Sequence, residues 1–420
     1  MPAIPSIVEQ HAQEAVFLSS LRQQAVCAPH YSLRDLVKLD YRLDANLDGL
    51  RLAEDFGWKL CEELLETEGA AGVFTSAVVA ISSGNEARIQ QVVGLATTTS
   101  NLSRGLAASL GWLPLAQVRP YINKFLAAGV PAIRRVGVAA AAIHREYPGP
   151  ALLEAMDATD PFLKARALRA AGELGRGDLL EAAELYLDSE DEAVRFAGAW
   201  SSALRNGTPR AIRTLKAISD SGGRFSEDAL EVAMRRMEFG PAKAWQQHLS
   251  QNASKLRLAI AGAGALGDPE LINWLIQQMN QPALARVAGE AFILISGVDI
   301  VKEHLDAEPP GGFDVGPDDN PANDNVASDP DENLPWPAPV LIQSWWNDHA
   351  DQFQSDTRYL LGKPITEEWA AEVLRANRQR QRAAAALELA IRQPRILLFN
   401  IKAPGFRQLE MFNEPDPAIA

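Results

Sequence analysis

Sulfur is scarce in this chain. Cys27 and Cys61 are the only cysteines among 420 residues, too few for a disulfide framework or a cysteine-rich zinc site, and their scarcity fits a reducing compartment such as the cytoplasm. Any apolar run long enough to cross a bilayer is also lacking, so no membrane span is expected. The opening stretch, MPAIPSIVEQHAQEAVFL, carries acids where a secretory leader needs a basic start and has no continuous apolar segment, which argues against a signal peptide. Positive charge is in deficit. Lys and Arg number 40 against 54 Asp and Glu, a net charge of −14, which argues against general nucleic-acid binding because phosphate neutralisation needs clustered basic side chains.

What is present repeats. Arginine opens a small-residue segment at Arg104 (RGLAASLG), Arg135 (RVGVAAAA), Arg166 (RALRAAGELG), Arg195 (RFAGAWSSAL), Arg257 (RLAIAGAGALG) and Arg286 (RVAGEAFILI). The steps between them are 31, 31, 29, 62 and 29 residues, and SEDALEVAMRRMEFG from Ser226 fills the middle of the double step. One step before Arg104 lies VFTSAVVAISSG, so roughly eight units of about thirty residues fit. Glycine closes the segments at Gly111, Gly175, Gly207, Gly240, Gly267 and Gly297, as expected of a residue just past a helix end. Proline follows at Pro114, Pro150, Pro209, Pro241 and Pro269, near the next helix start. Each unit therefore reads as a helical hairpin. In PELINWLIQQM, Leu271, Trp274, Leu275 and Met279 give the partner helix one apolar face, which only a neighbouring unit can bury.

The segments DPFLKARALRAAGELG, DSEDEAVRFAGAWSSAL and ALGDPELINWLIQQMNQPALARVAGEA resemble HEAT repeats, in particular the short bacterial kind of the phycobilisome lyases. The resemblance covers roughly residues 73 to 300. It implies an all-α solenoid in which an acid ahead of each arginine pairs with arginines of adjacent units; Asp160 before Arg166 fits, whereas Ser189 stands before Arg195. The expected organisation is a helical N-terminal cap over 1–70, a HEAT-like solenoid over 71–305, an acidic Pro/Gly-rich linker over 306–338 and a C-terminal helical module over 339–420. The linker has no Lys or Arg, and reads as a solvated tether or an acidic decoy for a basic partner.

In the C-terminal module, LIQSWWNDHADQF and TEEWAAEVLRANRQRQRAAAALELAIRQP read as two helices. Arg375, Arg378, Arg380, Arg382, Arg392 and Arg395 make the second the one basic stretch, either a solvated face, a clasp for the acidic linker, or a surface for nucleic acid or an acidic peptide. Trp336, Trp345 and Trp346 are candidate partner contacts together with Arg375, Arg378, Arg380 and Arg382; adjacent tryptophans on one helix cannot face the same way, so one of Trp345 and Trp346 is the contact. Arg104, Arg135, Asp160, Arg166, Arg195, Arg257 and Arg286 are assigned to the repeat ladder.

No catalytic, cofactor or metal residues are expected. Gly262, Gly264 and Gly267 spell the dinucleotide fingerprint, but AGALGD aligns with AGELGR of another repeat and reads as a helix end. LGKPIT lacks the first glycine and the Ser or Thr of a phosphate loop. The six histidines are scattered, and His11 with Glu14 makes only half a metal site. The reading is a non-enzymatic scaffold, adaptor or chaperone for a protein client. The chain as a whole, with its SWW helix and closing APGFRQLEMF, resembles a proteobacterial HEAT-like family encoded near type VI secretion loci, which implies a secreted effector or apparatus component as client. HEAT-like DNA glycosylases and bilin lyases are the enzyme-class alternatives.

Overall fold

The computed structural model describes residues 4–311, 313 and 329–413, so the middle of the acidic linker lies outside the described residues. The fold is an all-α solenoid of stacked helical hairpins. It divides into two compact units, the first made of the described residues of Met1–Thr214, Arg375–Gln379 and Gln393–Ala420, the second of those of Leu215–Leu374 and Arg380–Arg392.

The first unit opens with α1 (Pro5–Ala25), α2 (Leu33–Leu52) and α3 (Glu54–Thr67), where Ser32 and Asp35 form a reciprocal cap on α2. The repeats follow as α4 (Gly69–Ser83), α5 (Glu86–Ala96), α6 (Ser100–Trp112), α7 (Leu115–Leu126), α8 (Pro131–Ile143), α9 (Pro150–Met156), α10 (Pro161–Glu173), α11 (Leu180–Glu184) and α12 (Glu192–Arg205). Helices α4, α6, α8, α10 and α12 pack each on the next, and the intervening helices line their outer side. The inner helices come close because they are rich in Ala and Gly: a Cβ added at Gly105 of α6 would lie 2.3 Å from the Ala70 carbonyl oxygen of α4. The outer helices bury a single stripe, as with Val118, Ile122, Phe125 and Leu126 of α7.

Helix α13 (Pro209–Asp220) carries the chain into the second unit, where the repeats continue as α14 (Ser226–Arg236), α15 (Phe239–Ser250), α16 (Leu256–Leu266), α17 (Ile272–Gln278) and α18 (Pro282–Ser296). Again α14, α16 and α18 pack in order. Eight inner helices, α4 to α18 by twos, thus match the eight units read from the arginine period. Left-handed glycines end three of them, at Gly84, Gly267 and Gly297. Gly111 and Gly240 depart from the expected pattern, since both lie within helices, α6 and α15.

Beyond the repeats, α19 (Pro339–His349) packs on α17, and a short hairpin of β1 (Tyr359–Leu360) and β2 (Lys363–Pro364) follows. The long basic stretch is two helices, α20 (Glu367–Ala376) and α21 (Gln379–Arg392), interrupted at Asn377 and Arg378. Backbone pairing supplies the reason: Arg378 bridges to Ser32, and the Gln379 N–H donates to the Tyr31 carbonyl at 2.8 Å.

Residues 394–407 then run as a strap across the C-terminal ends of the first unit's inner helices. Arg205 at the end of α12 donates to the Ile396 carbonyl (2.7 Å), and the Leu398 N–H donates to the Glu173 carbonyl of α10 (3.0 Å). Arg145 beyond α8 donates to the Leu398 carbonyl (2.6 Å), Asn400 donates to the Ile143 carbonyl (3.1 Å), and Arg407 donates to Gly111 (2.8 Å) and Trp112 (2.9 Å) of α6. The strap thereby answers carbonyls that a helix end leaves without an internal donor. It closes on α2, where the buried Asp40 accepts from Arg22 (2.6 Å) and from the Gly405 N–H (2.6 Å), ahead of α22 (Gly405–Asn413).

Candidate functional site

The repeat arginines do not form one continuous acid–arginine ladder. Asp160 spends its carboxylate as a helix cap, accepting from the Leu163 N–H at 2.7 Å, while Arg166 pairs with Glu173 at 2.9 Å. Arg135 donates to Ser100 (3.2 Å) and Ser103 (3.1 Å), Arg195 donates to the Ser189 carbonyl, and Arg104 is exposed. Asp160 also attracts Arg135 of the preceding unit, and Asp191, one turn ahead of Arg195, caps its helix in the same way through the Val194 N–H (2.9 Å). Glu173 is the acid that gathers arginines. Burial pushes its carboxyl up, but Arg166, Arg145 and Arg169 outweigh burial and hold it below the usual range.

In the second unit the ladder arginines take partners from outside the repeats. Arg257 grips Asp331 with both carboxylate oxygens, at 2.8 and 2.5 Å, and Arg286 binds Asp329 (2.5 Å) and the Asp331 carbonyl (3.0 Å). Arg380 of α21 donates to Glu290 (2.9 Å) and to the Pro330 carbonyl (3.3 Å). The segment Asp329-Pro330-Asp331 is therefore held by three guanidinium groups. Its Asp331 hydrogen bond is the largest effect on Arg257 and raises the guanidinium above its ordinary value.

Beside this segment lies a cleft of about 290 Å³ between α14, α16, α18 and α21, walled by Ala261, Gly264, Ala291 and Ala384 and edged by Glu231, Arg235 and Glu290. Arg235 is buried and paired with Glu388 (3.0 Å) and Glu231 (3.3 Å); burial would lower it, yet the two carboxylates keep it raised. Burial raises the Glu290 carboxyl despite Arg380.

The candidate contacts separate. Trp346 is buried against Phe353 at 5.0 Å between ring centres, and Arg382 is 0% exposed, donating to the Leu374 carbonyl at 2.6 Å; both are core and are withdrawn as partner contacts. Burial lowers Arg382 to about 10. Trp345 is half-buried, edge-on to Phe292 and stacked flat on His349 at 4.1 Å. Trp336 is half-buried under the Arg286 guanidinium, 4.7 Å from the ring centre. Arg375 and Arg378 are exposed and belong to the first unit, whereas Arg380 and Arg382 belong to the second.

Asp329, Asp331, Glu290 and Glu388 went unnoticed in the sequence as partners of these arginines. The only signal was the general one, an acidic stretch and an arginine-rich stretch in one chain, consistent with a clasp. The glycines of GAGALG lie within α16 and at its left-handed end, with no strand before them, and LGKPIT forms the β1–β2 hairpin; neither builds a phosphate site. Among the described residues no group of His, Cys, Asp or Glu is arranged to hold a metal ion, and no helix is long and apolar enough to cross a membrane.

A family model of HEAT repeats matches residues 149–233, from α9 into α14. No curated protein matches the chain. Helical repeats of this kind form scaffolds that can mediate protein interaction.

Proposed function

We propose that this HEAT-like chain is a non-enzymatic adaptor or chaperone that holds a client protein. One observation carries the reading: α19 turns apolar side chains outward, with Val340 81% and Leu341 48% exposed and Trp345, one turn beyond Leu341, half-buried on His349. A rigid aromatic with apolar neighbours on a helix is the kind of anchor that dominates protein interfaces. The repeats supply a stable platform for it. Resemblance to a family encoded near type VI secretion loci makes an effector or component of that apparatus the first client to try.

The test is retention of proteins from the chain's own host, compared between wild type, Trp345→Ala and Trp346→Ala. A specific client should be retained by wild type and lost with Trp345→Ala, which should lower the melting temperature less than Trp346→Ala does. Co-purifying nucleic acid released by salt, or a bound pigment, would replace this reading with one of the enzyme-class alternatives.

A further inference from the structure

We propose that the arginine trio Arg257, Arg286 and Arg380 is a recognition site for an acidic Asp-x-Asp segment of a partner protein, and that the chain's own Asp329-Pro330-Asp331 occupies it as a competitor in cis. The proposal rests on the scaffold reading and deepens it by giving the chemistry of one contact. Each element of recognition is present. Arg257 makes the two-pronged contact that a carboxylate's geometry matches, Arg286 takes the first acid and a backbone carbonyl, and Arg380 takes the carbonyl between. Leu334, 7% exposed, anchors the same segment three residues on, and Trp336 stacks beneath Arg286.

Two features argue for exchange. Arg286 is 8% exposed, and its Nε–H is buried without an acceptor, so the occupant leaves part of the guanidinium unanswered. Arg286 is ion-paired with Asp329, so withdrawal of the segment would strand a buried charge. The site therefore favours replacement of one acidic segment by another over simple opening. A peptide is favoured over nucleic acid because Arg286 and Arg380 donate to the backbone carbonyls of Asp331 and Pro330, groups that a phosphodiester chain does not offer. A tethered occupant competes at high effective concentration, which makes the site selective for a well-matched partner.

The probe is a fluorescein-labelled peptide Asp-Pro-Asp-Glu-Asn-Leu, the sequence of residues 329–334, measured by anisotropy at low salt against the full chain. The Asp329→Asn/Asp331→Asn chain should bind it about tenfold more tightly than wild type, in line with removal of a cis competitor. The peptide should also raise the melting temperature of that variant and not of wild type. Adding Arg257→Ala to the variant, or replacing both aspartates of the peptide by Asn, should abolish binding. Equal affinity for wild type and a folded double variant overturns the proposal, as does an oligothymidylate that displaces the peptide at equal concentration. Should the double variant fail to fold, hydrogen exchange on wild type decides: excess peptide should speed exchange at residues 329–334, and unchanged rates overturn the proposal. Client retention through Trp345 is read separately, so it can stand where this peptide site fails.

Discussion

Glu173 shows how one residue can organise several repeats. It ends α10, pairs with Arg166 at 2.9 Å and also feels Arg145 and Arg169, which hold its carboxyl below the ordinary value of 4.5. A depressed native pKa means that the native state binds this proton less readily than the unfolded chain. The stabilisation is thus fully present above about pH 4.5 and is lost as pH falls through the native value. Glu173→Gln should therefore lower stability at pH 7 by about 1–2 kcal/mol, the scale of a half-buried, charge-assisted hydrogen bond. Denaturant midpoints of wild type and variant should converge below pH 4.5. Glu290 runs the other way: burial raises its carboxyl, so its protonated form favours the native state, and that contribution fades as pH rises from 4.5 through the raised native value. Neither residue was legible as special. Glu173 lies in an ordinary AGELG helix end, and its environment is set by Arg166 on the same helix together with Arg145 from another repeat.

At the scale of elements, the period of arginines, the Ala-rich helices and the left-handed glycines were enough to read eight hairpins, because each signal is local and recurs. The strap was not readable. Residues 394–404 form no helix or strand, and the partners of 394–407, among them Arg205, Glu173, Arg145 and Gly111, are about 190 to 300 positions away in the chain. Only Pro404 and Gly405 mark a turn, and nothing in PRILLFNIKAPGF indicates helix ends as its destination. The strap nonetheless has a clear energetic role. Without it Asp40 loses the Gly405 N–H and Arg145 loses the Leu398 carbonyl, each a hydrogen bond to a charged group worth about 1.5–3 kcal/mol. A chain ended at Arg392 should therefore show a destabilised first unit. Hydrogen exchange should accelerate at the C-terminal turns of α6, α8 and α10, while their N-terminal turns change less. Uniform protection along those helices would assign the strap a passive role. Arg407→Ala is the milder version and should affect the end of α6 alone.

For the whole molecule, a solenoid has no single centre; within each unit an inner helix is stabilised by its neighbouring inner helices, so damage should stay near where it is made. Gly105 offers a clean lesion. A Cβ there would meet the Ala70 carbonyl oxygen at 2.3 Å, a contact with backbone that a flexible side chain cannot relieve by turning away. Gly105→Ala should thus force α6 from α4 and cost about 1–3 kcal/mol, as over-packing of tight interfaces does. Because α4 and α6 lie in the first unit and α16 and α18 in the second, the expected pattern in hydrogen exchange is faster opening of α4 to α8 with α16 and α18 unchanged. Equal acceleration in both units would mean that the chain opens as one cooperative body. Graded loss, confined to the first unit, would mean that the second unit keeps its arginine-held acidic segment and its α19 surface when the first is weakened. Such separability matters for a scaffold, since a client bound to one unit would then stabilise that unit and leave the other free to respond to its own partner.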